Sequence, residues 1–381
     1  MPTSASRCKA TAAWTVKIER TVQSSIDGAD TSGKQLTLPA KSSPLNPFCE
    51  DHLHNLITDV PGVLVGHAES MQLGSGSTAV IFEEPAVASI DVRGGGPGTR
   101  ETALLDPAQT VEGIDAIALS GGSAFGLDAA SGVQAWLKER GRGFAVGAAR
   151  VPIVPAAILF DLLNGGDKDW GRYPPYRELG HQAAASAAAT FSLGSVGAGT
   201  GATTATCKGG LGSASQQTAD GATVGALAVV NAAGSVLIDR GPWFWAAPFE
   251  QNGEYGGRGL PQRFPPEAFD PRIKGAVRAN TTLVIVATDV ALDKAQAKRL
   301  AIMAQSGLSR AIYPVHAPLD GDLVFAASTR RRPLNDPLYT LTRLGAVAAN
   351  VVARAIARGV FEAVTLPYPS ALKSWKDQFG S

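Results

Sequence analysis

The sequence predicts an α+β protein with a mixed or antiparallel sheet, and three features carry that expectation. Short β-branched runs at residues 59–67, 78–82 and 87–92 come first, separated by Gly, Pro and acidic turn residues. Longer apolar runs at 223–231 and 278–289 are bounded by polar residues, as buried strands are. Helical segments with Asp at their starts follow, one opened by Asp293 and one by Asp336-Pro337.

Taken in order, residues 1–55 are rich in Ser, Thr, Lys and Pro without a sustained period and read as a flexible arm, leaving 56–381 as one domain. Within the arm, Cys49, His52 and His54 invite a metal reading. A zinc site needs four ligands from separated positions and no partner cluster is in sight, so this segment reads as a polar lead-in to the first strand. After the three short strands, Arg93-Gly94-Gly95-Gly96-Pro97-Gly98 lacks phosphate-loop spacing and reads as a bend that brings backbone close to a substrate or another subunit.

A strand at 114–119 leads through Gly121-Gly122-Ser123 into a helix ending at Gly141. Ser123 is not a nucleophile elbow, because Phe125 stands where the second Gly would be needed; it reads as an N-cap. Residues 182–190 suit a helix with a small-residue surface. The glycines of 194–202 resemble a dinucleotide fingerprint only superficially, and Cys207-Lys208-Gly209 does not end a phosphate loop. The strand at 223–231 ends in Asn231, whose amide is either a turn former or a fixed donor for developing negative charge. Residues 241–272 form a long irregular loop, expected to become a free tail if the chain is cut after it.

Helices are expected from Asp293 to about Ser306, stopped by Gly307, and from Pro337 to Gly359. Between them lies Asp320-Gly321-Asp322. In extended backbone its two carboxylates face one side and raise each other's proton affinity, unless a cation such as Lys208 stands nearby; otherwise it is a solvated turn.

The chain is long enough for an extensive core, with 381 residues. Its 34 basic and 33 acidic residues give a net charge of +1, which offers no field for nucleic acid or an anionic membrane and suits a small, roughly neutral substrate. Three scattered cysteines make no disulfide framework. No apolar run approaches the roughly 20 residues of a membrane span and no signal peptide is evident, so a soluble cytoplasmic protein is expected.

Thr281 stands at the mouth of the 278–289 strand. Its hydroxyl could attack the Asn280 carbonyl, form an ester by an N-to-O shift, and on hydrolysis leave a threonine with a free α-amine. That amine, with a reference pKa of about 8, can serve as base for its own hydroxyl. The plainer alternative is an ordinary Asn-Thr-Thr strand start.

Together, residues 58–67, 120–133, 279–301 and 319–329 resemble the P1 (S58-type) family of self-processing N-terminal-nucleophile peptidases and amidohydrolases. That family includes L-aminopeptidase/D-esterases, β-aminopeptidases and a branch hydrolysing 6-aminohexanoate (nylon) oligomers, which this chain resembles most. The resemblance implies a four-layer α-β-β-α sandwich cut between Asn280 and Thr281 into an α chain (1–280) and a β chain (281–381), and a homotetramer of αβ units. It implies Thr281 as nucleophile, Asp320 and Asp322 to orient and activate it, and Lys208 and Asn231 to hold active-site charge and the oxyanion. It further implies a small amide or oligoamide substrate and no metal or cofactor. An aminopeptidase, or an acyltransferase of the glutamate N-acetyltransferase type, are the alternative activities; threonine in place of serine favours the oligoamide branch.

Overall fold

In the computed structural model, residues 53–275 and 280–380 are described. Cys49 and His52, nearly all of the expected arm, and Arg278 and Ala279 lie outside the described residues. The elements are β1 (Val63–Ser70), β2 (Ser75–Val92), β3 (Gly98–Arg100), β4 (Ile114–Ser120), α1 (Ala129–Glu139), β5 (Phe144–Val146), β6 (Ala149–Val151), β7 (Ala156–Ile158) and α2 (Tyr176–Ala185). They continue with β8 (Gly210–Gln217), β9 (Thr223–Asn231), β10 (Thr281–Val290), α3 (Lys294–Ala311), β11 (Leu323–Arg332), α4 (Pro337–Phe361) and α5 (Trp375–Phe379).

The expected strands at 78–82 and 87–92 are one element, β2. Glu83, Glu84 and Pro85 are exposed where its register shifts between Ile81 and Ala86, so the turn residues that suggested two strands mark an irregularity within one. The first half of β2 pairs with β1 and β4 and the second with β11, which joins all the strands except β5 and β6 in the order β3-β7-β4-β2-β11-β10-β9-β8, with β1 also on β2. Pairing is mostly antiparallel, but β10 and β11 run parallel, as do β4 and β7.

Alternation along the central strands explains the core. On β10, Val284 and Val286 enter a cluster with α3 and α4, while Leu283 and Ile285 enter a second with β1, β2 and β4. On β4, Ile117 and Leu119 face that second cluster, and Ala116 and Ala118 face a third with α1 and α2. Apolar clusters therefore cover both faces of β10 and of β4. The expectation of an α+β protein with a large mixed sheet holds.

Several helix limits differ from expectation for one reason, close packing. Asp293 caps α3 through Gln296 N–H, as anticipated, but the helix runs past Gly307 to Ala311. A Cβ on Gly307 would lie 2.5 Å from the Ala349 carbonyl, so this glycine admits α4 and does not end a helix. Gly359 likewise lies inside α4, against Gly212 of β8, and α4 extends to Phe361. The small-residue helix occupies Tyr176–Ala185; its alanines 183 and 184 are buried, and Ala188 has left it to bridge Val65. Although α4 is long and apolar enough to cross a membrane, most of it is buried within the protein.

The 241–272 loop is strapped down. Tyr255 is buried with its hydroxyl on the Ala246 carbonyl at 2.8 Å, and Glu254 accepts from the buried Arg354 at 2.5 and 3.0 Å. The same guanidinium reaches Asn55 at 2.8 Å, tying this loop and the start of the domain to α4. The main chain of Lys274 also bonds to Ala233, at 2.8 Å. In the uncut chain, then, the segment is held down as far as Lys274.

Candidate active site

Thr281 opens β10 directly opposite Asn231, the last residue of β9, and on its other side β10 pairs in parallel with β11 from Leu283–Leu323 onward. Parallel register carries Asp320-Gly321-Asp322 alongside the Asn280–Thr281 peptide, where Asn280 and Asp320 form a bridge. The Asn280 carbonyl accepts the Gly321 N–H at 2.8 Å and also the Thr281 hydroxyl. A side-chain carbon on Gly321 would lie 2.6 Å from Thr281 Oγ1, so glycine is what lets the turn reach the hydroxyl.

Both aspartates are buried, which removes the solvated-turn alternative. Asp322 Oδ1 accepts the Thr282 N–H at 2.8 Å, and its Oδ2 accepts the His316 N–H at 3.0 Å and lies 3.2 Å from His316 Nδ1. Both Asp320 oxygens lie 3.3 Å from the Ala233 N–H. Burial, and then repulsion from Asp322, push the Asp320 carboxyl up to about 8, against the pull of that N–H and of the Lys274 ammonium. The first Gly-rich bend clasps this turn: Gly96 N–H donates to the Asp320 carbonyl at 2.7 Å, and Arg93 and Gly94 N–H to the Asp322 carbonyl at 3.0 Å. Its close approach is to its own chain.

Asn231 Oδ1 accepts from Thr203 N–H at 3.0 Å and from Lys274 Nζ at 2.9 Å, and Nδ2 donates to the Phe160 carbonyl at 3.2 Å. Among the described residues, one Nδ2 hydrogen remains for a ligand. Lys208 is buried, and its ammonium donates to the carbonyls of Gly199, Ala202 and Gly209 at 3.1, 2.8 and 2.7 Å. Its three donors are thus spent knitting the second Gly-rich loop. Burial draws Lys208 down to about 7, opposed by the charge of Asp161. The cation whose charge acts on Asp320 is Lys274.

Sequence reasoning had no signal for Lys274, His316 or Asp161. Asp161 is buried, accepting from Ser75 Oγ at 2.6 Å and Gly122 N–H at 2.7 Å, and burial raises its carboxyl above the usual range. Ser123 is not the N-cap: Gly122 holds that position, and Ser123 adopts φ +53° and lines the cleft over Thr281. This open cleft, about 690 Å³, is walled by Pro97, Ile158, Phe160 and Pro318. A second of about 650 Å³, lined by Asp161, Lys208 and Lys274, shares Phe160 with it. No cluster of three or more His, Cys, Asp or Glu suited to a metal occurs among the described residues.

The charge state of Asp320 should be visible in stability. Folded, its carboxyl holds a proton between about pH 4 and about pH 8 that the unfolded chain has released, so its contribution falls as pH rises across that window. Asp320→Asn fixes the neutral form. Its melting temperature should match that of the unsubstituted protein near pH 4 and exceed it near pH 8 by at least about 2 °C. A gap that stays constant with pH would contradict the assignment.

The chain is similar to known proteins along most of its length. The family model described as peptidase family S58 matches residues 55–372. An uncharacterised aminopeptidase of Mycobacterium tuberculosis is 41% identical over 85% of this chain and 98% of its own. A 6-aminohexanoate-oligomer endohydrolase of Kocuria sp. is 29% identical over 77% of this chain and 82% of its own. Among solved structures, the L-aminopeptidase D-Ala-esterase/amidase of Ochrobactrum anthropi, a variant of the Ntn hydrolase fold, superposes with a TM-score of 0.63 at 21% identity, covering 85% of this chain and 91% of that one. With the family model spanning nearly the whole described chain, the protein belongs to peptidase family S58 and is a hydrolase acting on amide bonds.

Proposed function

We infer that this hydrolase is self-processing, with Thr281 as both the site of its own cleavage and the nucleophile of the mature enzyme. The observation that carries this is the Asn280 carbonyl, held by the Gly321 N–H at 2.8 Å with the Thr281 hydroxyl against it. As Thr281 Oγ bonds to that carbonyl carbon, negative charge grows on an oxygen that already has a fixed donor. The hydroxyl proton passes to the peptide nitrogen as the Asn280–Thr281 C–N bond breaks. An ester to Thr281 Oγ and a free α-amine result, and water hydrolyses the ester to give the Asn280 carboxylate and regenerate the hydroxyl.

In the mature enzyme the α-amine takes the Thr281 proton during attack on a substrate amide and returns one to the leaving amine. Asp322 and Asp320 hold the strand start in place, and the spare Asn231 N–H is the donor for the substrate oxyanion. Lys208 supports the loop carrying Thr203, which in turn bonds Asn231. The apolar clusters on both faces of β10 and of β4 support a four-layer α-β-β-α sandwich; assembly into a tetramer of αβ units, a cytoplasmic location and action without a cofactor are expectations of the same reading.

The substrate class is a small aliphatic oligoamide or peptide, supported by the similarity to 6-aminohexanoate-oligomer endohydrolases. The 41% identity to a protein named as an aminopeptidase favours a second reading, removal of N-terminal residues. Product analysis separates them. Internal cuts in a 6-aminohexanoate oligomer support the first, and release only of terminal residues from peptides supports the second. An amide product formed with an added amine, in place of hydrolysis, would contradict both.

A further inference from the structure

We propose that Lys274 is a positioning residue for the cleavage of the Asn280–Thr281 bond, setting the Asn231 amide and fixing the chain just ahead of the cut. The proposal rests on the reading of that bond as self-cleaved. Lys274 lies seven residues before Thr281, and both meet Asn231: Thr281 as its register partner, Lys274 through Nζ to Oδ1 at 2.9 Å. The same ammonium donates to the Thr203 carbonyl at 3.1 Å. Thr203 N–H also donates to Asn231 Oδ1, so the ammonium and the Thr203 peptide close a small ring of hydrogen bonds around the amide oxygen.

The main chain repeats the arrangement one step further along. Ala233 accepts the Lys274 N–H on its carbonyl at 2.8 Å and gives its own N–H to Asp320. Residue 274, the end of β9 and the Asp-Gly-Asp turn are thereby linked through a single residue. A cation on Oδ1 draws electron density from the amide and strengthens the opposite Nδ2–H as a donor. It also places positive charge near Asp320, opposing the burial and the Asp322 charge that raise the proton affinity of that carboxyl. The groups whose charge acts on this ammonium are Asp320, Asp161 and Lys208.

Because Lys274 precedes the cut, it ends in the α fragment, yet its described hydrogen bonds run to Thr203, Asn231 and Ala233. It therefore keeps the newly formed fragment end against β9 after cleavage.

The test is a time course of intact mass for the unsubstituted protein, Lys274→Met and Lys274→Arg, all freshly purified. Lys274→Met should process more slowly by at least about tenfold, the loss expected when a charged hydrogen-bond donor is removed. Lys274→Arg, which keeps the charge and the donors, should stay within about threefold of the unsubstituted rate. Thermal melts of the uncut chains should agree within a few degrees, since a merely structural role would lower the melting temperature of Lys274→Met and would not be rescued by Arg. Cleavage of Lys274→Met at the unsubstituted rate, or an Arg variant as slow as Met, would overturn the role of Lys274 and leave Thr281 untouched. An unsubstituted protein that never cuts would instead overturn the self-cleavage on which the role depends.

Discussion

Thr281→Ala is expected to yield a single uncut chain with no amidase activity. Among the described residues, the Thr281 hydroxyl bonds to the Asn280 carbonyl alone, so its removal strands no other described buried group. The β10 backbone ladder to β9 and β11 is untouched, and the variant should fold with a stability change within about 1 kcal/mol, as for loss of one hydrogen bond. Its chemistry should fail entirely, since deleting a nucleophile lowers kcat by a factor on the order of 10⁶ in hydrolases of comparable logic. Thr281→Ser, which keeps the hydroxyl, should still be cut. An Ala variant that is cut or active would mean another residue performs both reactions.

Asp322→Ala should be the second most damaging change, through a different route. This buried carboxylate is the acceptor for two main-chain N–H groups, Thr282 at 2.8 Å and His316 at 3.0 Å. Leaving each without an acceptor costs about 1–3 kcal/mol, so a stability loss of roughly 2–6 kcal/mol is expected. Thr282 is the neighbour of the nucleophile, and freeing it displaces Thr281 from the carbonyl it must attack. A misplacement of about 1 Å costs on the order of 10²-fold in rate, so self-cleavage should slow by at least that much. Denaturant unfolding and the mass time course read the two effects separately. Unchanged cleavage in a destabilised Ala variant would reduce Asp322 to a structural role.

The sequence was most legible where periodicity and end signals agreed. Residues 223–231 and the start at Thr281 match β9 and β10 because β-branched runs with polar ends leave few other conformations. The Asp293 cap is a local device, readable without knowing what the helix packs on. Gly307 and Gly359 misled because a glycine that ends a helix and one that admits a neighbouring backbone look identical until the neighbour is placed. Ser123 misled similarly, since its left-handed backbone belongs to the turn over the cleft and not to a cap.

For the site, Asn280, Thr281 and the Asp-Gly-Asp turn were readable because parallel pairing of β10 and β11 brings together motifs that each had a signature. Lys274 and Asp161 were not, because each lies in irregular sequence and acquires its partners only when the chain closes on Asn231 or on the Gly121-Gly122 turn. Lys208 was legible as a candidate, but its partners are three carbonyls of a loop without a regular period, so its supporting position could not be inferred.

The most direct test of self-processing is intact-mass spectrometry of the purified protein under denaturing conditions. Two fragments whose masses place the cut between Asn280 and Thr281 are the predicted result. A single full-length mass after prolonged incubation, in a preparation that nonetheless hydrolyses amides, would contradict it and remove Thr281 from the centre of the mechanism.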